Sequence, residues 1–166
     1  DDAIGRVIDA LRERDLLDNT WIIYSSDHGD MLGEHGLAQK GVFYEPAVRV
    51  PAIFCPPGRQ FGRGRDGLID HLDITATILQ IAGLDAGQGH GRNLLPEIDT
   101  EVEGTDGGKS HVISENRNHG MVFDGRFKLV VAYYKMQPVE LFDLQEDPME
   151  IVNRIADPGL APVVAE

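Results

Sequence analysis

Residues 20–29, TWIIYSSDHG, join a β-branched and aromatic run of strand length to an abrupt polar end. The run lacks clean alternation, which is the pattern of a strand covered on both faces in an α/β sheet. Before it, in DDAIGRVIDALRERDLL, Ile4, Val7, Ile8 and Leu11 recur at i, i+3, i+4 and i+7, so an amphipathic helix precedes the strand. That helix is expected to end near Asp15, with Asp18-Asn19 as the turn. Helix, short turn and buried strand make half of a βαβ unit, whose other half would lie upstream. A chain that opens inside such a pattern reads as a fragment of a longer polypeptide.

The rest of the chain divides in two by character. A Gly-rich loop runs from Gly29 to about Gly41, and VPAIFCPPG reads as a strand closed by Pro56-Pro57-Gly58. RQFGRGRDG is a basic loop; Asp73 is a candidate N-cap for ITATILQIAG, with Gly83 at the helix end. Residues 85–110 show little periodicity and read as connection. Beyond them HVISE is a short strand, MVFDGRFKLVVAYY a hairpin around Asp124-Gly125, VELFDL a further strand, and DPMEIVNRIAD a turn followed by a short helix. The expected fold class is α/β: residues 1–95 end a mixed-sheet α/β layer, and residues 96–166 form a small antiparallel sheet subdomain with a helix.

Composition excludes several functions. The 166 residues, 42% hydrophobic, suffice for one substantial core. With 15 Lys and Arg against 28 Asp and Glu the net charge is -13, the wrong sign for a phosphate-backbone binder, so nucleic acid is not expected as a partner. Cys55 is the sole cysteine, which forbids an intrachain disulfide. The apolar runs are too short to span a bilayer. A strand edge left unpaired where the sheet should continue would favour self-association.

Ligand sites in open α/β sheets collect outside the carboxyl ends of the strands, where Asp27 and His28 fall. A carboxylate and an imidazole nitrogen are competent ligands for a divalent ion; the plain alternative is a turn-capping Asp beside a packed His. Lys40, at the end of the loop, offers a compact charge suited to a tetrahedral oxyanion, although any lysine can be a solvated surface group.

The stretch WIIYSSDHGDMLGEHGLAQKGVFYEPAVRVPAIFCPPG resembles the C-terminal signature of the type I sulfatases, members of the alkaline phosphatase superfamily. RERDLLDNTWIIY before it, DITATILQIAGL after it and VELFDLQEDPMEIVN near the end resemble family segments in the same order, so the likeness covers nearly the whole chain. The resemblance implies a sulfatase-like mixed-sheet domain and hydrolysis of a small-molecule or saccharide sulfate ester. It matches Asp27 and His28 to one pair of metal ligands and Lys40 to the lysine that contacts the sulfate ester. His35, in GEHG, becomes a substrate-side candidate with a structural loop role as its alternative. Arg49 and His71 read as structural. Asn116, Arg117 and His119 are polar candidates for one pocket wall.

The implied cofactors are a divalent metal, Ca²⁺ by resemblance with Mn²⁺ left open by the imidazole, and a formylglycine made from a Cys or Ser in a C/S-x-P-x-R segment. Asp1-Asp2 begins a helix and is rejected as the other metal pair. Cys55 is read as a core cysteine at a buried strand end, so the nucleophile is expected upstream, outside these residues. Phosphonate monoester hydrolases and phosphodiesterases share the scaffold and form the alternative class. A non-catalytic truncated protein is the other.

Overall fold

A computed structural model describes residues 1–58, 64–85, 87, 89–99 and 108–165, arranged as two compact units. The first unit comprises Asp1–Ser26 and Val50–Gly64. Its helix α1 spans Asp2–Arg12, with Asp1 at the N-cap and Arg12 in the last turn, where each charge complements the helix dipole. The helix stops short of Asp15. Asp15 itself takes a left-handed backbone (φ 55°), and the N–H groups of Asp15 and Leu16 turn back to Arg12 O (3.1 Å) and Leu11 O (2.9 Å). This is the pair of bonds that closes a helix C-terminus, with Asp in the place glycine usually takes. A 3₁₀ turn, Leu17–Asn19, leads into β1, Ile22–Ser25.

Strand β2, Ala52–Cys55, pairs antiparallel with β1, Ile22 opposite Cys55 and Ser25 opposite Ala52. The sequence implied a strand covered on both faces. Among the described residues, however, β1 has only β2 as its ladder partner; its residues are half-buried and Tyr24 is exposed.

The second unit comprises Asp27–Arg49 and Arg65–Glu166. Its centre is a four-stranded antiparallel meander in sequence order: β3 Val112–Glu115, β4 His119–Phe123, β5 Phe127–Ala132 and β6 Gln137–Asp143. The β4–β5 turn is the one expected at Asp124-Gly125. Asp124 Oδ1 accepts the N–H groups of Arg126 (2.8 Å) and Phe127 (2.6 Å), while Gly125 supplies the positive φ of 98°. Met121 and Val130 from the sheet pack with Phe43, which precedes the single-turn helix α2, Glu45–Val48; Val48, Phe123 and Val139 close around them.

Helix α3, His71–Ile81, begins one turn earlier than the sequence suggested. Asp70, not Asp73, is the N-cap: its Oδ1 accepts Leu72 N (3.0 Å) and Asp73 N (3.2 Å), and Asp73 Oδ2 accepts Asp70 N (3.2 Å) in return. Two aspartates three apart can each serve as a cap, and here they form a reciprocal capping box. Asp73 is fully buried because its other oxygen accepts Arg92 N (2.6 Å) and pairs with Lys109 Nζ (2.9 Å). The connection from 85 to 110 also contains a short helix, α4 (Leu95–Asp99), that periodicity did not reveal.

No helix forms across the PMEIVNRIAD stretch; the C-terminal helix α5 is Ala161–Ala165. The intervening backbone is held along β6 instead. Leu141 N donates to Asn153 Oδ1 (3.0 Å), Asn153 Nδ2 to Val139 O (3.0 Å) and Arg154 N to Leu141 O (2.7 Å). Glu150 is left-handed (φ 55°), which no helix interior tolerates. Among the described residues no helix is long and apolar enough to cross a membrane.

One buried ionic cluster joins three parts of this unit. Lys128, with 1% of its side chain exposed, donates to Phe43 O (3.0 Å), Glu45 Oε1 (2.7 Å) and Glu150 Oε1 (2.7 Å). The second oxygen of Glu150 accepts Glu45 N (2.7 Å), so the carboxylate serves two donors at once.

Candidate functional site

Asp27 and His28 follow β1 in the chain and lead the segment that α2 holds from behind. The N–H of Gly29 donates to Ala47 O (2.8 Å), and this contact explains the glycine. A Cβ there would lie 1.9 Å from Pro46 O, far inside van der Waals contact. Gly29→Ala must therefore push α2 and the Asp27-His28 segment apart. It is expected to destabilise the protein by about 1–3 kcal/mol, the usual cost of overpacking, as a downward shift of the denaturation midpoint. An unchanged midpoint would mean the two backbones are not so closely apposed.

His28 is oriented by its neighbour. Its Nδ1 lies 2.6 Å from Gly29 O, and a carbonyl can only accept, so Nδ1 carries the proton. Nε2 is thereby left with a lone pair. That nitrogen stands 3.3 Å from Asp27 Oδ2, and the Lys40 ammonium donates to it. Two electron-pair donors so close repel one another unless a cation lies against them, and here the cation is Lys40 Nζ. Asp27 is 85% exposed yet reaches into this group. Residual desolvation works to raise its carboxyl, but the backbone N–H of His28 (3.0 Å), its own backbone N–H and the Lys40 charge together outweigh it. The carboxyl therefore titrates below the ordinary Asp range and is an anion at neutral pH.

The structure thus brings together Asp27, His28 and Lys40. Among the described residues no further His, Cys, Asp or Glu joins them in a group able to hold a metal ion. The donor set, one carboxylate oxygen and one imidazole nitrogen facing a positive charge, suits a divalent cation in kind and supplies part of a coordination shell.

His35 makes its contact elsewhere. Its ring stacks on Tyr44 (centroids 3.9 Å apart, 9° between planes), and its own backbone is left-handed (φ 51°). Leu32 (φ 47°), Gly33 (φ 108°), Gly36 (φ 70°) and Gly41 (φ 116°) share that region, so the 30–41 segment is a chain of tight turns rather than an open loop. Tyr44 rests against Phe142 in turn (5.7 Å, tilted). Arg49 pairs with Glu45 (3.7 Å) on the exposed side of α2. His71 opens α3, and His111 Nδ1 lies 3.1 Å from Ser110 Oγ. Arg59 lies outside the described residues.

Cys55-Pro56-Pro57-Gly58-Arg59 does have C-x-P-x-R lettering. Cys55 is the last residue of β2, in the ladder opposite Ile22, and is half-buried rather than in the core that the sequence implied.

The residues that sequence reasoning did not single out are Tyr44, the platform for His35, and the Lys128–Glu45–Glu150 cluster behind it. Strand parity was the available signal. Lys128 shares its face of β5 with Val130, and both are buried.

Comparison with known proteins identifies the scaffold. A family model described as Sulfatase matches residues 1–84. The choline-sulfatase of Rhizobium meliloti is 35% identical over 164 residues, covering 95% of this chain and 31% of that protein. A structure solved in complex with its substrate D-glucosamine-2-N,6-O-disulfate superposes with a TM-score of 0.78 at 26% identity, over 98% of this chain and 35% of the other. The phosphonate monoester hydrolase of Silicibacter pomeroyi superposes with a TM-score of 0.81 at 28% identity, over 98% of this chain and 36% of the other. The chain therefore spans about a third of the length of these relatives. With half of its residues matched by the family model and its described fold shared with these relatives, the chain belongs to the sulfatase family.

Proposed function

We propose that this chain is the C-terminal part of a sulfuric ester hydrolase, contributing half of a divalent-metal site and one cationic contact to the ester. The observation that carries the reading is the convergence of Asp27, His28 and Lys40 on one point in a sulfatase-family chain. Asp27 and His28 would hold the metal, with Ca²⁺ favoured by the family resemblance and Mn²⁺ compatible with the imidazole. The metal would supply positive charge for the ester oxygens and lower the pKa of a bound hydroxyl. A formylglycine nucleophile belongs, on this reading, to a part of the enzyme outside this chain.

The work of this chain's own residues follows from their chemistry. The Nδ1–H bond to Gly29 O holds the imidazole with Nε2 forward, which would present that nitrogen to a metal ion. Lys40 presents three rotatable donors on a compact charge; with Nε2 given to a metal, the ammonium would turn from His28 to a sulfate oxygen. As charge builds on the transferred group, a fixed ammonium stabilises it most where water is excluded. His35, stacked on Tyr44, would form part of the substrate side and fix the curvature of the loop that ends at Lys40.

Phosphorus esters form a second reading, favoured by the likeness to the Silicibacter pomeroyi phosphonate monoester hydrolase. Tetrahedral sulfate and phosphonate esters ask similar things of Lys40 and a metal. The full-length enzyme is expected to hydrolyse an aryl sulfate with higher kcat/KM than an aryl phosphonate monoester or phosphate diester. A reversed order assigns it to phosphorus. The 166 residues alone are expected to turn over neither, and measurable turnover by them would place the nucleophile within this chain.

A further inference from the structure

We infer that Asn116 is a positioning residue for Lys40, tying the β3–β4 turn to the peptide that follows the lysine. The inference rests on the reading of Lys40 as the ester contact. Asn116 Oδ1 accepts the N–H groups of Asn118 (3.0 Å) and His119 (2.9 Å), which fixes the orientation of the carboxamide. Its Nδ2 must then face the other way, and it donates to Gly41 O at 3.1 Å. These partners lie 75 positions apart in sequence.

Both sides of the bond make sense physically. Residues 39–42 form bends without a backbone ladder, and Gly41 is left-handed (φ 116°). A lysine on such a segment has a four-carbon stem to order as well as a soft backbone. The β3–β4 turn is the stiffer element. Asn116 N donates to His119 O (2.9 Å) and Tyr133 N to Asn118 O (2.9 Å). The Tyr133 hydroxyl donates to Glu115 Oε1 (2.7 Å), and its ring lies so close over Gly120 that a Cβ there would sit 3.2 Å away. The carboxamide thus transfers the rigidity of a sheet to the backbone that aims Lys40.

The substitution that isolates the bond is Asn116→Asp. It keeps an oxygen for the Asn118 and His119 amides and sets a second oxygen, with no proton to give, against Gly41 O. Asn118→Asp places the same charge on the same turn without touching the bond and serves as the control. In the full-length enzyme, amide hydrogen exchange at 40–42 is expected to accelerate in Asn116→Asp while exchange at 116–119 holds. Activity on an aryl sulfate is expected to fall about 10-fold in kcat/KM, since a small misplacement of a catalytic group costs one to two decades.

The same substitution in a Lys40→Ala background is expected to cost less than about 2-fold, because residues acting through one another are not additive. Equal losses in both backgrounds would show that Asn116 acts apart from Lys40 and overturn the inference. Unchanged exchange at 40–42 would overturn it too. If the unmodified enzyme hydrolyses no sulfate ester, the proposed function falls, and exchange at 40–42 then decides the tie alone.

Discussion

Lys128→Met is expected to destabilise the protein by roughly 3–5 kcal/mol, the cost of stripping the partner from buried charges. The side chain is closely matched in length and apolar, so packing is nearly conserved and the loss is electrostatic. What remains is the Glu150 carboxylate, also 1% exposed, held by one amide and no cation. Glu45, about a quarter exposed, can recover some hydration; Glu150 cannot. Pairing the change with Glu150→Gln removes the stranded charge, so the double variant is expected to lie closer to wild type than Lys128→Met alone. Urea denaturation with a constant slope checks both. A loss below about 1 kcal/mol for the single variant, the range of an exposed pair, would mean that Lys128 is not buried as described.

Lys40→Ala is expected, under the proposed function, to lower kcat/KM of the full-length enzyme on an aryl sulfate by about 10²–10³-fold. That is the usual cost of deleting one preorganised donor to a developing anion. Stability should hardly move, because Lys40 is exposed and so is Asp27, whose carboxyl its charge favours as the anion. Lys40→Arg should not restore the rate. A planar guanidinium cannot put a compact charge at the single point an ammonium occupies. A fall of less than about 3-fold for Lys40→Ala would remove the residue from the site. Denaturation midpoints measured alongside separate such a result from misfolding.

Much of the fold was legible because local signals were strong. Asp124-Gly125 between alternating apolar residues leaves little choice but a hairpin, and Ile4, Val7, Ile8 and Leu11 leave little choice but a helix. The misses occurred where tertiary bonds overrode local pattern. Asp70 and Asp73 are equally good caps by letter, and only the burial of Asp73 against Arg92 and Lys109 decides between them. The expected helix after Pro148 loses to Asn153 and Arg154 pairing with β6 and to Glu150 turning inward.

The candidate site divides in the same way. Asp27 and His28 are adjacent in sequence, so their proximity is given; that Lys40 folds back on them is visible only in space. The stacking of His35 on Tyr44 joins residues nine apart through a run of left-handed turns that no propensity predicts. Lys128 was readable in principle, since a lysine in step with Val130 on an inward face demands a buried acid.

The single carboxylate of Glu150 grips the ammonium of Lys128 with one oxygen and the first amide of α2 with the other. It works as a clasp between the segment after β6 and the turn that shoulders Gly29. The backbone beside Asp27 and His28 is therefore braced from more than a hundred residues downstream. Loss of the residues after β6 would loosen the turn packed against Gly29.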